Sequence, residues 1–228
     1  MWQFGMWGWS SLHGLTKNAH NAGYTSGGSS TGTAVGIAAG FARAGLGSDT
    51  EGSLRGPADF AGIVGMRVTM GRYSSEGVVP CNIKHDTAGP MASTVADLAV
   101  LDAVIMGAAP SDYTPADLTG LTVAFPPDFS SKDLAPGNAK AIALAKEALK
   151  KAGATVKEDA ADFGPLCVAP EGGSICTELS FRQEGFEEYL RSHPNCTLKT
   201  EEVMEQSFYV RAPPHAHVLL CTPDLCTR

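Results

Sequence analysis

Residues 25–40 read T-S-G-G-S-S-T-G-T-A-V-G-I-A-A-G, and only Ile37 among them is larger than valine. A run this small has few ways to gain stability. Each glycine in a helix costs about 1 kcal/mol relative to alanine, so a helix built from it must be held by packing rather than by propensity. Small faces do permit one thing that large ones forbid, a very close approach of a neighbouring sheet or helix. The pattern T-A-V-G-I-A-A-G-F-A-R-A therefore predicts a buried helix over residues 33–44, ending near Gly45. Residues up to Gly107 remain rich in glycine and alanine and poor in charge.

The rest of the chain is more conventional. Residues 94–106 predict a second helix. Thr94 caps its first turn, Asp97 answers three residues on, and Gly107 stops it. Val95, Leu98, Leu101 and Ile105 form its apolar stripe. Residues 109–117, with Pro110 and Pro115, read as a linker. Residues 121–125 (L-T-V-A-F) predict a buried strand stopped by Pro126-Pro127, and Pro136 opens a helix that runs to Ala152. Its inward face is Ile142, Ala145, Leu149 and Ala152. Residues 154–157 form the next strand, so the order is that of a parallel βαβ unit. A further helix is expected over 178–191. These boundaries divide the chain into residues 1–107, 108–206 and a tail, 207–228, with no clear period.

Charge and cysteine content narrow the function. The 228 residues carry a net charge of −7, the wrong sign for a nucleic-acid partner. The N-terminus lacks the basic start of a signal peptide, and no apolar run reaches membrane-spanning length. A cytoplasmic protein with no membrane segment is the expectation. Cys81, Cys167, Cys176, Cys196, Cys221 and Cys226 show no C-x-x-C pairing and read as buried thiols. His215, His217 and Cys221 are metal-ligand types, but they lie in the unpatterned tail, and neither a metal nor a cofactor is expected. Asn195-Cys196-Thr197 fits a glycosylation acceptor of a kind frequent by chance.

Two hydroxyl- and glycine-rich pieces remain, T-S-G-G-S-S-T-G at 25–32 and D-T-E-G-S-L-R at 49–55. The first lacks the lysine of a phosphate-binding G-x-x-x-x-G-K-[ST] loop. The second is not a G-x-S-x-G nucleophile elbow, because Leu54 and Arg55 follow Ser53. None of the histidines (His13, His20, His85, His193, His215, His217) sits in a recognisable triad setting.

Taken together, residues 27–57 resemble the amidase signature family, whose diagnostic segment begins G-G-S-S-G-G and ends G-G-S-[IV]-R-x-P. Here the segment opens G-G-S-S-T-G and closes S-D-T-E-G-S-L-R-G-P, with Ser29 and Ser53 24 positions apart, as in the family. G-I-V-G-M-R-V-T-M-G-R (62–72), E-G-V-V-P (76–80) and D-T-A-G-P-M (86–91) follow in family order, and the likeness extends over residues 9–188. It implies an α/β fold with a mixed β-sheet core surrounded by helices, incomplete at both ends. Residues 1–107 would then be the signature core and 108–206 its continuation.

The resemblance also implies a Ser-Ser-Lys triad. Ser53 would be the nucleophile that forms an acyl-enzyme with an amide carbonyl. Ser29, on a cis peptide after Gly28, would relay the proton to a lysine. The N–H groups of Thr50, Glu51, Gly52 and Ser53 would form the oxyanion hole, each such donor worth about 3–4 kcal/mol. Gly28, Ser30, Asp49 and Arg55 would support the loops. The implied partner is a small-molecule amide, with a homodimer left open as the assembly.

Three departures qualify the match. Thr31 stands where the family has glycine or serine. Glu51 stands where it has glycine or alanine; its carboxylate either repels the developing charge or points away. The family lysine lies well upstream of the glycine-serine loop, whereas Lys17, the one lysine before Ser29 here, falls in the segment adjoining that loop and does not match it. The catalytic lysine is thus expected to be absent, which implies a fragment or a truncated member and negligible amide hydrolysis by this chain. The alternatives are a catalytically dead amidase-like scaffold and a protein like the A-type subunit of glutamyl-tRNA amidotransferase.

Overall fold

The structure, a computed structural model, describes residues 7–10, 13–109, 117–126, 134–158, 179–195, 197 and 199. It divides into two compact units, Met1–Pro110 with Glu178–Arg228, and Ser111–Thr177. The tail with its His215-Ala216-His217 motif, and every cysteine except Cys81, lie outside the described residues. Cys81 is half-buried and in no disulfide.

The first unit opens with a short antiparallel pair, β1 (Trp9–Ser10) and β2 (Gly14–Leu15). Helix α1 (Thr31–Ala38), strand β3 (Ala44–Asp49), helix α2 (Arg55–Ala61), strands β4 (Val64–Gly65) and β5 (Thr87–Ala92) and helix α3 (Val95–Ile105) follow. Strands β3, β4 and β5 form one antiparallel sheet in the order β3-β5-β4. β3 and β5 pair along their full length, from Ala44↔Ala92 to Asp49↔Thr87. Ala34, Ile37, Leu54, Ala58, Ala61 and Met91 make the core, where α1 and α2 meet the sheet.

The small residues work as their size demands. A β-carbon added at Gly65 would lie 2.7 Å from the Ala58 side chain, and one at Gly89 would run into the Met66 carbonyl oxygen. Both positions are far inside contact: Gly65 lets the sheet approach α2 closely, and Gly89 lets β5 lie against the Met66 backbone just after β4. The helix expected over 33–44 is shorter and starts earlier. Gly40 takes φ 79 just after it, residues 39–43 form an exposed turn, and Ala44 already belongs to β3. The A-G-L-G-S-D strand has little β-propensity of its own; its ladder with β5 makes it a strand.

Helix α3 begins as expected, with the Thr94 hydroxyl accepting from Asp97 N–H and Gly107 at φ 67 beyond its end. Its stripe is buried only in the middle. Leu98 is buried and Leu101 half-buried, while Val95 and Ile105 are exposed.

In the second unit β6 (Thr122–Ala124), α4 (Pro136–Lys151) and β7 (Thr155–Lys157) form a parallel βαβ arrangement. Pro136 opens α4, and Lys150 and Lys151 occupy its last turn, favourable to the helix dipole. Ile142, Leu149 and Ala152 are half-buried as expected. Ala145 is exposed instead, and the neighbouring Lys146 packs its ammonium 5.0 Å from the Phe125 ring centre. Helix α5 (Leu179–Arg191) belongs to the first unit.

Candidate active site

The 49–55 loop is folded around one carboxylate. Asp49 is the last residue of β3 and is fully buried. Its carboxylate accepts from the N–H groups of Gly52 (2.8 Å), Leu54 (3.3 Å) and Arg55 (3.3 Å). Two guanidinium groups complete its shell. Arg55 donates through Nε at 3.0 Å and Nη2 at 3.2 Å, and Arg67 through Nη1 at 3.0 Å. Arg67 also donates to the Asp49 carbonyl and, at 2.7 Å, to that of His85. Burial by itself would raise the Asp49 carboxyl pKa. The Arg55 hydrogen bond and the backbone donors outweigh it and hold the group below its ordinary 3.8. Arg55 is shifted up in return by its hydrogen bond to Asp49.

The 26–31 loop uses neutral groups. Ser26 is buried and its hydroxyl donates to the Thr16 carbonyl at 2.7 Å, while Gly27 N–H donates to the Thr25 hydroxyl. Gly27 takes φ 70, and the Gly28–Ser29 peptide is cis. Thr31 opens α1, fully buried, with its hydroxyl donating to the Gly27 carbonyl at 2.7 Å. A residue that departs from the family pattern thus closes the loop across one turn, and a glycine there has no group to do so.

Ser30 joins the two loops. Its N–H donates to the Ser53 carbonyl at 2.9 Å, and its hydroxyl both donates to and accepts from the Ser48 backbone at 3.1 Å. Ser29 and Ser53, each half-buried, are therefore neighbours of a direct backbone bond. Among the described residues no side chain is hydrogen-bonded to either hydroxyl. Lys17 is exposed, and its backbone bridges Thr25. Glu51 is exposed, and the positive φ of the loop falls on Gly52, at 121. Of the expected oxyanion-hole residues, Gly52 turns its N–H inward onto Asp49.

Sequence reasoning places Asp49 and Arg55 together as braces but misses Arg67 and Asp86. The Asp86 carboxylate accepts from the Thr50 hydroxyl at 2.5 Å. Both residues lie in segments matching the family order, but only strand pairing reveals what they touch. Among the described residues no cluster of three His, Cys, Asp or Glu side chains is arranged to hold a metal ion, and no helix is long and apolar enough to cross a membrane.

A family model described as Amidase matches residues 1–166. The A-type subunit of glutamyl-tRNA(Gln) amidotransferase from Thiobacillus denitrificans is 41% identical over 162 residues, covering 65% of this chain and 33% of that protein. Indoleacetamide hydrolase of Agrobacterium vitis is 32% identical over 206 residues, covering 90% of this chain and 43% of that one. Among solved structures, native peptide amidase from Stenotrophomonas maltophilia superposes with a TM-score of 0.66 at 28% identity, over 84% of this chain and 42% of its own. The chain thus spans between a third and a half of the length of these relatives.

Proposed function

The chain belongs to the amidase family, and from that premise we propose that it carries the acyl-transfer groups of an enzyme cleaving a carboxamide C–N bond. Ser53 is the nucleophile. Its Oγ bonds to the amide carbon while its proton passes by way of Ser29 to a base. The tetrahedral intermediate expels the amine, which takes up a proton, and leaves an acyl-Ser53 ester. Water then attacks the ester and releases the carboxylic acid, restoring Ser53. Because Asp49 engages the Gly52 N–H, the candidate oxyanion donors around it include the N–H groups of Thr50 and Ser53. The observation that supports this reading most is the Ser30 N–H to Ser53 carbonyl bond, which sets Ser29 beside the residue it serves.

No described side chain is hydrogen-bonded to the Ser29 or Ser53 hydroxyl, and we expect the chain by itself to turn over amides negligibly. A small amine in solution can stand in for the base. We expect a fluorophosphonate to label Ser53 slowly, and methylamine to accelerate labelling in the parent chain but not in Ser29→Ala. No adduct at Ser53, with or without amine, overturns the assignment.

A second reading, a component working only in a transamidation complex, is favoured by the 41% identity to the A-type amidotransferase subunit. Co-purification of the tagged chain with the other amidotransferase components distinguishes it.

A further inference from the structure

We propose that Asp86 is a positioning residue that latches the nucleophile loop through the hydroxyl of Thr50, an inference that rests on Ser53 being the nucleophile. The latch follows from strand register. β3 and β5 run antiparallel and their last backbone pair is Asp49↔Thr87. One step beyond that pair, where the chain leaves the sheet on both sides, stand Thr50 and Asp86. Backbone pairing ends there and a side-chain bond replaces it, Thr50 Oγ1 donating to Asp86 Oδ1 at 2.5 Å. At this length a hydroxyl-to-carboxylate bond belongs to the strong, charge-assisted class.

The acceptor is itself fixed. Asp86 Oδ2 accepts from the N–H groups of Cys81 (2.5 Å) and Asn82 (2.8 Å). The carbonyl of Asn82, a fully buried residue, accepts in turn from His85 and Asp86 N–H at 2.9 and 2.8 Å. The 81–86 turn is thus closed around the same carboxylate that reaches across to Thr50. Arg67 makes a parallel tie by donating to both the Asp49 and His85 carbonyls. Arg67 fixes where the loop starts. Asp86 fixes the next residue, whose N–H is a candidate oxyanion donor, and so sets the direction in which residues 50–53 leave the sheet.

Amide hydrogen exchange over residues 49–54 tests this in Thr50→Val, Thr50→Ser, Asp86→Asn and the Thr50→Val/Asp86→Asn double variant. Thr50→Val, which removes only the hydroxyl, should raise exchange there about tenfold without altering exchange in α3. Thr50→Ser should behave as the parent chain, and the double variant should exchange no faster than the faster single one. Parent-like exchange in Thr50→Val, or single effects that multiply, overturns the latch. If Asp86→Asn also opens α3, the Thr50 pair alone decides. In fluorophosphonate labelling, Thr50→Val should lower the limiting rate about tenfold and leave the half-saturating probe concentration unchanged; the reverse pattern counts against positioning. A parent chain that takes no label removes Ser53 as nucleophile, while exchange still decides whether the latch exists.

Discussion

Residues 26–31 and residues 49–55 are both short and both carry a candidate catalytic serine, yet the first loop is held by neutral hydroxyls and the second by charge. Ser26 and Thr31 each give one hydroxyl to a backbone carbonyl. Asp49 instead gathers two guanidinium groups and three backbone N–H groups. The difference suits the proposed division of labour. A relay hydroxyl works best among groups that do not titrate. A loop that must present several N–H groups in one direction needs a buried anion to hold its other donors inward, as Asp49 holds those of Gly52, Leu54 and Arg55. The contrast also implies that the two loops fail under different conditions.

The largest effect is expected at the charged hub. Asp49→Asn should destabilise the chain by about 3–5 kcal/mol, because the half-buried Arg67 and three backbone N–H groups lose the fully buried anion they are turned onto. Urea unfolding at neutral pH measures this, and a loss under about 1 kcal/mol, the range of an exposed ion pair, would end the view of a charge-held loop. The same variant sharpens the pH contrast. The Asp49 pKa is lower folded than unfolded, so protons favour the unfolded chain. Its contribution is complete above its ordinary 3.8 and disappears as pH falls through the lower folded value. Asp97, chiefly through its Thr94 hydrogen bond, and Asp102, chiefly through Arg72, shift in the same direction. Stability should therefore decline as pH falls below the ordinary carboxylate value of 3.8, and less steeply in Asp49→Asn than in the parent.

Thr31→Val should cost about 1–3 kcal/mol, the penalty for leaving the buried Gly27 carbonyl unsatisfied. Since no titrating group takes part, that cost should be equal at neutral and at acid pH; a pH-dependent loss would merge the two loops into one electrostatic unit. The smallest effect is expected at Arg43, whose largely exposed pair with Asp97 is 3.2 Å long. Arg43→Ala should lower the melting temperature only marginally, and by still less in salt, as paired melts at low and high ionic strength would show. A drop as large as that of Thr31→Val would mean that charge holds the outside of the unit as firmly as it holds the loop.

How far the sequence can be read follows from where its constraints come from. The paired serines, the Asp49–Arg55 brace and the Thr94 cap are legible because partners lie within a few residues or inside a contiguous motif. Arg67 and Asp86 are not, since each reaches the 49–50 end of β3 through pairing with a strand some 40 positions on. The start of β3 reads as the end of a helix for a related reason. Alanine favours a helix and glycine opposes one, so their mixture decides nothing locally and the partner strand supplies the decision. In α3 the apolar period is present, but a period cannot say how much of a face is covered, and α3 meets the sheet mainly through Leu98.

The β3–β5 ladder has a consequence for how a site like this can drift. Side chains alternate along β3, so deleting one residue inside it would turn the carboxylate of Asp49 to the opposite face, and deleting two would restore the face but pull it off Thr87. The exposed turn at 39–43 lies ahead of that ladder and is under no such restriction. The distance in sequence between the two serines therefore has an elastic part and a rigid part. Length can be gained or lost at the turn while the serines keep their places, whereas within the strand even residues as plain as alanine and glycine are countable positions.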